Sequence, residues 1–86
     1  MSTLKVGTCF ITRYDHRADR YRKIVKQLGD HESGYHYLVE SFVVGIKQPP
    51  YTISIPRNGV NRDMNEGKIE FIDPEKYEIE KTLRAL

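Results

Sequence analysis

The segment formed by residues 35–46 places the strongest restriction on how this chain can fold. Its sequence, YHYLVESFVVGI, is rich in aromatic and β-branched residues and contains few strand breakers. These residue types favour the pleated, half-buried surface of a β-strand. Glu40 interrupts an otherwise apolar run, so we expect one face of this strand to meet solvent there. The segment therefore predicts a sheet, and the rest of the chain has to supply its other strands.

Three further segments carry strand patterns. Residues 4–13, LKVGTCFITR, contain apolar and β-branched side chains, and they include Cys9, which we interpret as a small buried apolar residue. Residues 51–55, YTISI, alternate with Tyr51, Ile53 and Ile55 on one face. Residues 68–72 form a short last strand.

Residues 15–29 have two interpretations. As a helix, the segment would begin at Asp15, end at Gly29 and have apolar residues on one face and arginines on the other. As a hairpin, DHRAD would be the turn, and residues 21–28 would return beside the first strand and continue through GDHESG into residues 35–44. We prefer the strand interpretation, and the helix at about 15–28 remains the alternative.

The C-terminal third contains a loop and a helix. Residues 57–67, RNGVNRDMNEG, are polar and include Asn58-Gly59, which is typical of a turn, so we predict a long loop. The sequence Asp73-Pro74-Glu75 predicts a helix start. Ile79, Leu83 and Leu86 share one face of that helix, which either packs on the sheet or meets a partner.

The length of 86 residues predicts a single domain, residues 1–86. No apolar run approaches the roughly 20 residues of a membrane helix, and the first residues lack the layout of a secretion signal. Cys9 is the only cysteine, which excludes an internal disulfide. We therefore expect a cytoplasmic protein that does not bind membranes. Short edge strands in so small a sheet would allow a homodimer.

Charge is divided along the chain. Residues 13–26, RYDHRADRYRKIVK, hold six of the fourteen lysines and arginines, whereas the chain after residue 62 is acidic. Arginine forks suit phosphate or carboxylate, and tyrosine rings suit bases. The predicted ligand-binding residues are Arg13, Tyr14, Arg17, Arg20, Tyr21, Arg22, Lys23, Arg57 and Arg62.

Catalytic and metal-binding patterns are weak. His16, His31 and His36 have no metal-ligand spacing, and no phosphate-binding glycine motif is present. Asp15 beside His16 would be a base in an exposed turn, a poor place for a catalytic pair. We therefore predict no enzyme activity, no metal and no cofactor.

In the strand interpretation, the order KVGTCFITRY, RYRKIVKQL, YHYLVESFVV, YTISIP and KIEFI, followed by a helix, resembles the small SH3-like barrels of the Tudor and KOW types. Local similarity lies in Val6-Gly7-Thr8 and in the strand from Tyr21 to Val25. The resemblance implies a mainly β or α+β fold, a small barrel with a C-terminal helix. The alternative with the helix at 15–28 is a βαβββα order. KOW-type domains bind RNA or protein, which agrees with the basic charge.

These patterns favour a non-catalytic binding protein that engages a phosphate-bearing ligand, either nucleic acid or a nucleotide. In size and charge the chain also resembles small phage-encoded accessory proteins. The alternative function is therefore a phage-encoded inhibitor that acts in the host cytoplasm. Its arginines would meet an acidic protein surface, or its helix would enter a groove.

Overall fold

The fold is a five-stranded antiparallel sheet with one helix on each face. The computed structural model describes residues 4–30 and 34–85. The elements in chain order are β1 (Cys9–Thr12), β2 (Arg20–Asp30), β3 (Gly34–Val43), β4 (Tyr51–Pro56), α1 (Arg57–Asn65), β5 (Ile69–Ile72) and α2 (Pro74–Ala85).

The strands lie in the order β4-β3-β2-β1-β5. The centre is the pairing of β2 with β3, whose register runs from Arg20 opposite Val43 to Asp30 opposite Gly34 and shifts between Ile24 and Lys26. Strand β1 lies between β2 and β5. Helix α1 connects β4 at one edge of the sheet to β5 at the other, and its side chains pack against one face.

The face that α1 covers, here called the α1 face, holds one half of the core. Val60 of α1 is buried there, and Met64, one turn later, packs against the same cluster. Because four-residue spacing places both side chains on one side of the helix, they insert together into the sheet. The strands contribute Phe10, Ile24, Tyr37, Val39 and Ile55.

The opposite face, here called the α2 face, is organised by Tyr77. This residue has no exposed surface, and its ring lies 5.3 Å from that of Phe42. Its hydroxyl donates to a carboxylate oxygen of Glu40 at 3.0 Å, and Lys81 pairs with the same carboxylate at 2.9 Å. Burial raises the pKa of Glu40, but the hydrogen bonds from Lys81 and Tyr77 outweigh it and lower the pKa from its ordinary value. Tyr77 therefore joins α2 to the sheet.

The structure confirms the α+β class and the strand interpretation of residues 21–28. The alternative helix at 15–28 is wrong, because this segment forms β2 and its preceding turn. Pairing with β3, and with β1 over residues 20–23, satisfies backbone groups that a helix would have satisfied internally. The tip of the second hairpin, at 31–33, lies outside the described residues.

The fold differs from the expected small barrel because the sheet does not close. β4 and β5 form its two edges, separated by three strands. A barrel buries its inner face by closing the sheet. Here α1 and α2 cover the two faces instead.

The prediction of a loop at 57–67 is wrong, because residues 57–65 form α1. The helix lacks the usual start signals: Pro56 at the cap position offers no side-chain hydrogen bond, and the first turn has no acid. Packing of Val60 stabilises it despite these weak local preferences. It ends at Asn65, and two residues later Gly67 has a φ of 73°, which is strained for residues with a side chain.

Two other expectations concern the burial of Cys9 and the apolar face of α2. Cys9 is buried, as predicted, and burial is the main reason why the pKa of its thiol is raised. Ile79 and Leu83 are 54% and 52% exposed, so the apolar face of α2 points to solvent while Tyr77 faces the sheet. Leu86 lies outside the described residues.

We expect Tyr77→Phe to lower the free energy of unfolding by about 1–2 kcal/mol, because Glu40 loses a donor while the ring packing stays. Ile79→Ala, on the exposed side of the same helix, should change it by less than about 0.5 kcal/mol. Urea denaturation measures both values. Equal effects of the two variants would contradict the role given to the Tyr77 hydroxyl.

Candidate anion-binding site

The turn between β1 and β2 arranges two arginines around one tyrosine. The guanidinium carbons of Arg17 and Arg20 lie 4.9 and 5.3 Å from the centre of the Tyr14 ring. Arg20 also donates to the Ala18 carbonyl oxygen at 3.1 Å. Cation–π contacts of this kind hold long side chains in place without neutralising them. The two guanidinium groups are therefore positioned while they keep their charge.

Strand β2 adds a third arginine, which is nearly buried. Arg20 and Arg22 are two residues apart and so point to the same side of the sheet, the α1 face. Arg22 lies opposite Phe10 on β1 and Ser41 on β3, and only 9% of its surface is exposed. Its Nε atom is buried and has no hydrogen-bond partner among the described residues. The Oγ1 atom of Thr12, which lies opposite Arg20, is also buried and has no hydrogen-bond partner among the described residues.

The charge of Arg22 has no counterion in the described part of the chain. The ion pairs there involve other cations, namely Arg13, Lys23, Arg62, Lys68 and Lys81. Only Nε is buried without a partner in this part of the chain, and burying that polar atom without a hydrogen bond is unfavourable. A guanidinium held in this way is preorganised for an anion that arrives from outside.

The pKa of Tyr51 reports the positive potential at this end of the α1 face. Burial raises the pKa of the phenol, but the nearby Ser41 hydroxyl and the positive charges of Arg20 and Arg22 lower it below its ordinary value. The same potential that favours a phenolate favours a bound anion.

A pocket of about 200 Å³ opens beside Arg22. It lies between the turn, β2, β4 and α1, and Arg62 of α1 adds a further cation at its edge. Arg62 is 3.6 Å from the carboxylate of Asp63, its neighbour. The lining residues are Tyr14, Arg22, Ile55, Pro56, Gly59, Val60, Arg62 and Asp63.

The structure thus brings together five of the nine predicted residues, which we call the basic cluster: Tyr14, Arg17, Arg20, Arg22 and Arg62. It places the other four elsewhere. Arg13 pairs with Asp19 at 2.7 Å and with Glu70 at 2.9 Å, and the hydrogen bond to Glu70 is the main reason why its pKa is raised.

Tyr21, Lys23 and Arg57 are separated from the basic cluster by the geometry of the sheet. Tyr21 is buried on the α2 face, stacked on Phe42 with ring centres 5.0 Å apart, so neither side of its ring is free for a base. Lys23 lies on the same face and pairs with Glu78 of α2 at 3.2 Å. Arg57, at the start of α1, lies over the Tyr35 ring at 4.3 Å.

Several contributors were not predicted. Thr12 and Tyr51 belong to strands that the sequence predicts. The alternation of residues 51, 53 and 55 would have placed Tyr51 on the same face of the sheet as Ile53 and Ile55. Gly59 and Asp63 reach the pocket only because α1 is a helix, and the sequence around them predicted a loop.

Other kinds of site are not indicated in the described ranges. Residues 4–30 and 34–85 contain no group of three or more histidine, cysteine or acidic side chains that could hold a metal. Their helices are too short or too polar to cross a membrane. His16 is exposed in the turn.

A comparison with protein-family models found no matching family, and searches of curated proteins and of solved structures found no significant match.

We expect Arg22→Met to raise the free energy of unfolding of the ligand-free protein by about 1 kcal/mol, because a buried Nε without a hydrogen bond is replaced by an apolar chain of similar length. The control is Lys26→Met, which removes the same charge from an exposed position of β2 and should change stability by less than about 0.5 kcal/mol. Urea denaturation distinguishes them. Destabilisation by Arg22→Met would mean that the guanidinium stabilises the free protein.

Proposed function

We propose that this protein is a non-catalytic binding protein whose basic cluster engages a phosphate-bearing ligand, either nucleic acid or a nucleotide. One observation carries the proposal: Arg22 is nearly buried, its Nε has no partner among the described residues, and it lines a pocket open to a ligand. A buried Nε without a hydrogen bond weakens the free protein, and a bound anion that accepts from this group would remove that penalty.

The remaining members of the basic cluster suit such a ligand. Arg17 and Arg20 present planar guanidinium groups that can bond two phosphate oxygens at once, and the Tyr14 ring limits their movement. The faces of these guanidinium groups that point away from Tyr14 also offer stacking surfaces for bases. Asp19 directly precedes Arg20, but its carboxylate forms an ion pair with Arg13. It therefore competes less with an anionic ligand for the arginines of the basic cluster.

Salt-titrated binding of short labelled single-stranded DNA and RNA tests this proposal. Affinity should fall as salt rises, with log K decreasing by about 0.7 per decade of salt for each phosphate contact. Arg62→Gln should weaken binding and make that slope shallower by about 0.7, because one contact is lost. Lys26→Gln, which removes an exposed charge outside the cluster, should leave the slope unchanged. Absent or salt-independent binding of these probes and of mononucleotides would refute the proposal.

A second candidate function rests on the exposed side of α2. Ile79 and Leu83, one turn apart, form an apolar strip on the surface, flanked by Glu75 and Glu78. Such a strip fits an apolar groove with a basic rim on another protein. In this alternative the protein is a phage-encoded inhibitor that docks through α2 on a host protein.

Capture from a nuclease-treated bacterial lysate tests the second candidate. We expect the wild type to retain a defined protein that Leu83→Glu no longer retains, because the charge enters the apolar contact. Lys76→Glu, at an exposed position of α2 outside this strip, should still capture it. Capture that is unaffected by Leu83→Glu and occurs only in untreated lysate would instead favour binding through nucleic acid.

A further inference from the structure

The pocket beside Arg22 is small and has mixed walls. Ile55 and Val60, both buried core residues, contribute apolar surface, and Pro56 and Gly59 line it at the start of α1. Arg22 and Arg62 supply positive charge, and Tyr14 belongs to the turn on the other side. The site is therefore a recess between two structural elements, unlike the exposed surface formed by Arg17 and Arg20.

The size of the recess restricts what can enter it. Its volume of about 200 Å³ lies below the roughly 300–1,000 Å³ of pockets that enclose a whole small-molecule ligand. A phosphate group with its attached sugar is the part of a nucleotide that suits this space. An internal phosphodiester has chain on both of its sides, and both α1 and the Tyr14 turn line the recess, so a phosphate with a single substituent has less chain to place there.

The charges favour a terminal phosphate as well. A phosphate monoester carries a charge near −1.5 to −2 at neutral pH, whereas a diester carries −1. Arg22 is nearly buried and makes no ion pair with the described residues, and Arg62, 3.6 Å from Asp63, adds a second guanidinium, so the more highly charged phosphate gains more from this recess. Asp63 would repel a phosphate placed against it, but its carboxylate can accept hydrogen bonds from sugar hydroxyls.

We propose that the recess receives a phosphate monoester, as found on a mononucleotide or at a phosphorylated end of a nucleic acid strand. This inference rests on the proposed function and makes it more specific. Arg22 and Arg62 hold the phosphate, and Asp63 meets the attached sugar. Arg17 and Arg20 hold the remainder of the ligand outside the recess.

The experiment compares fluorescently labelled single-stranded oligonucleotides of one sequence with a 5′-phosphate, a 3′-phosphate or two hydroxyl ends. Unlabelled AMP and adenosine serve as competitors. We expect a phosphorylated end to raise affinity by about tenfold, which corresponds to 1.4 kcal/mol. AMP should compete and adenosine should not. Competition by AMP without a preference for phosphorylated strands would identify a mononucleotide as the source of the monoester.

Two variants link this preference to the recess. Arg22→Gln should abolish it by removing the charge. Gly59→Leu should abolish it by filling space, because a Cβ at position 59 would meet only Pro56 Cγ, at 3.4 Å, and leucine favours helix more than glycine does. Arg17→Ala should weaken phosphorylated and unphosphorylated strands equally. Circular dichroism confirms that each variant is folded.

The outcomes separate the two proposals. Equal affinity for all three strands, with no competition by AMP, would overturn the monoester site and leave the phosphate-binding surface intact. No binding of any strand or of AMP would overturn both.

Discussion

The alternation of side chains along β2 is the constraint on which the rest of this structure depends. Tyr21 and Lys23 point to the α2 face, where one stacks on Phe42 and the other pairs with Glu78. Arg20 and Arg22 point to the α1 face. Side chains from one basic segment therefore reach both faces of the sheet. Those on the α2 face make packing contacts or ion pairs, and those on the α1 face make no ion pair with the described residues. The period of two residues, more than the number of arginines, decides which cations are available to a ligand.

The length of α1 explains why the α1 face stays partly open. Nine helical residues span about 13 Å at 1.5 Å per residue, whereas five strands about 4.8 Å apart span about 19 Å. Val60 and Met64 cover the apolar part of this face. Arg22 borders the recess between α1 and the Tyr14 turn, where the helix leaves space beside it.

The sequence predicted the sheet well, because strands such as residues 35–46 combine β-branched and aromatic residues with little competing pattern. It predicted α1 wrongly, because Pro56, Asn58 and Gly59 are local turn formers and the stabilising contacts of Val60 come from distant strands. For the basic cluster, composition identified the segment, but the face of each side chain followed only from pairing. Tyr21 resembled Tyr14 in sequence, each following an arginine, yet one is core and the other surface.

The single thiol of this chain has a practical consequence. Cys9 lies on β1 within the cluster that Tyr77 covers, and its pKa is raised by burial. Thiol reagents attack the exposed thiolate, so modification of Cys9 requires α2 to leave the sheet or the whole domain to unfold. The rate of that modification in the unaltered protein therefore measures how often Cys9 becomes exposed, by detachment of α2 or by unfolding of the domain, without any engineered probe.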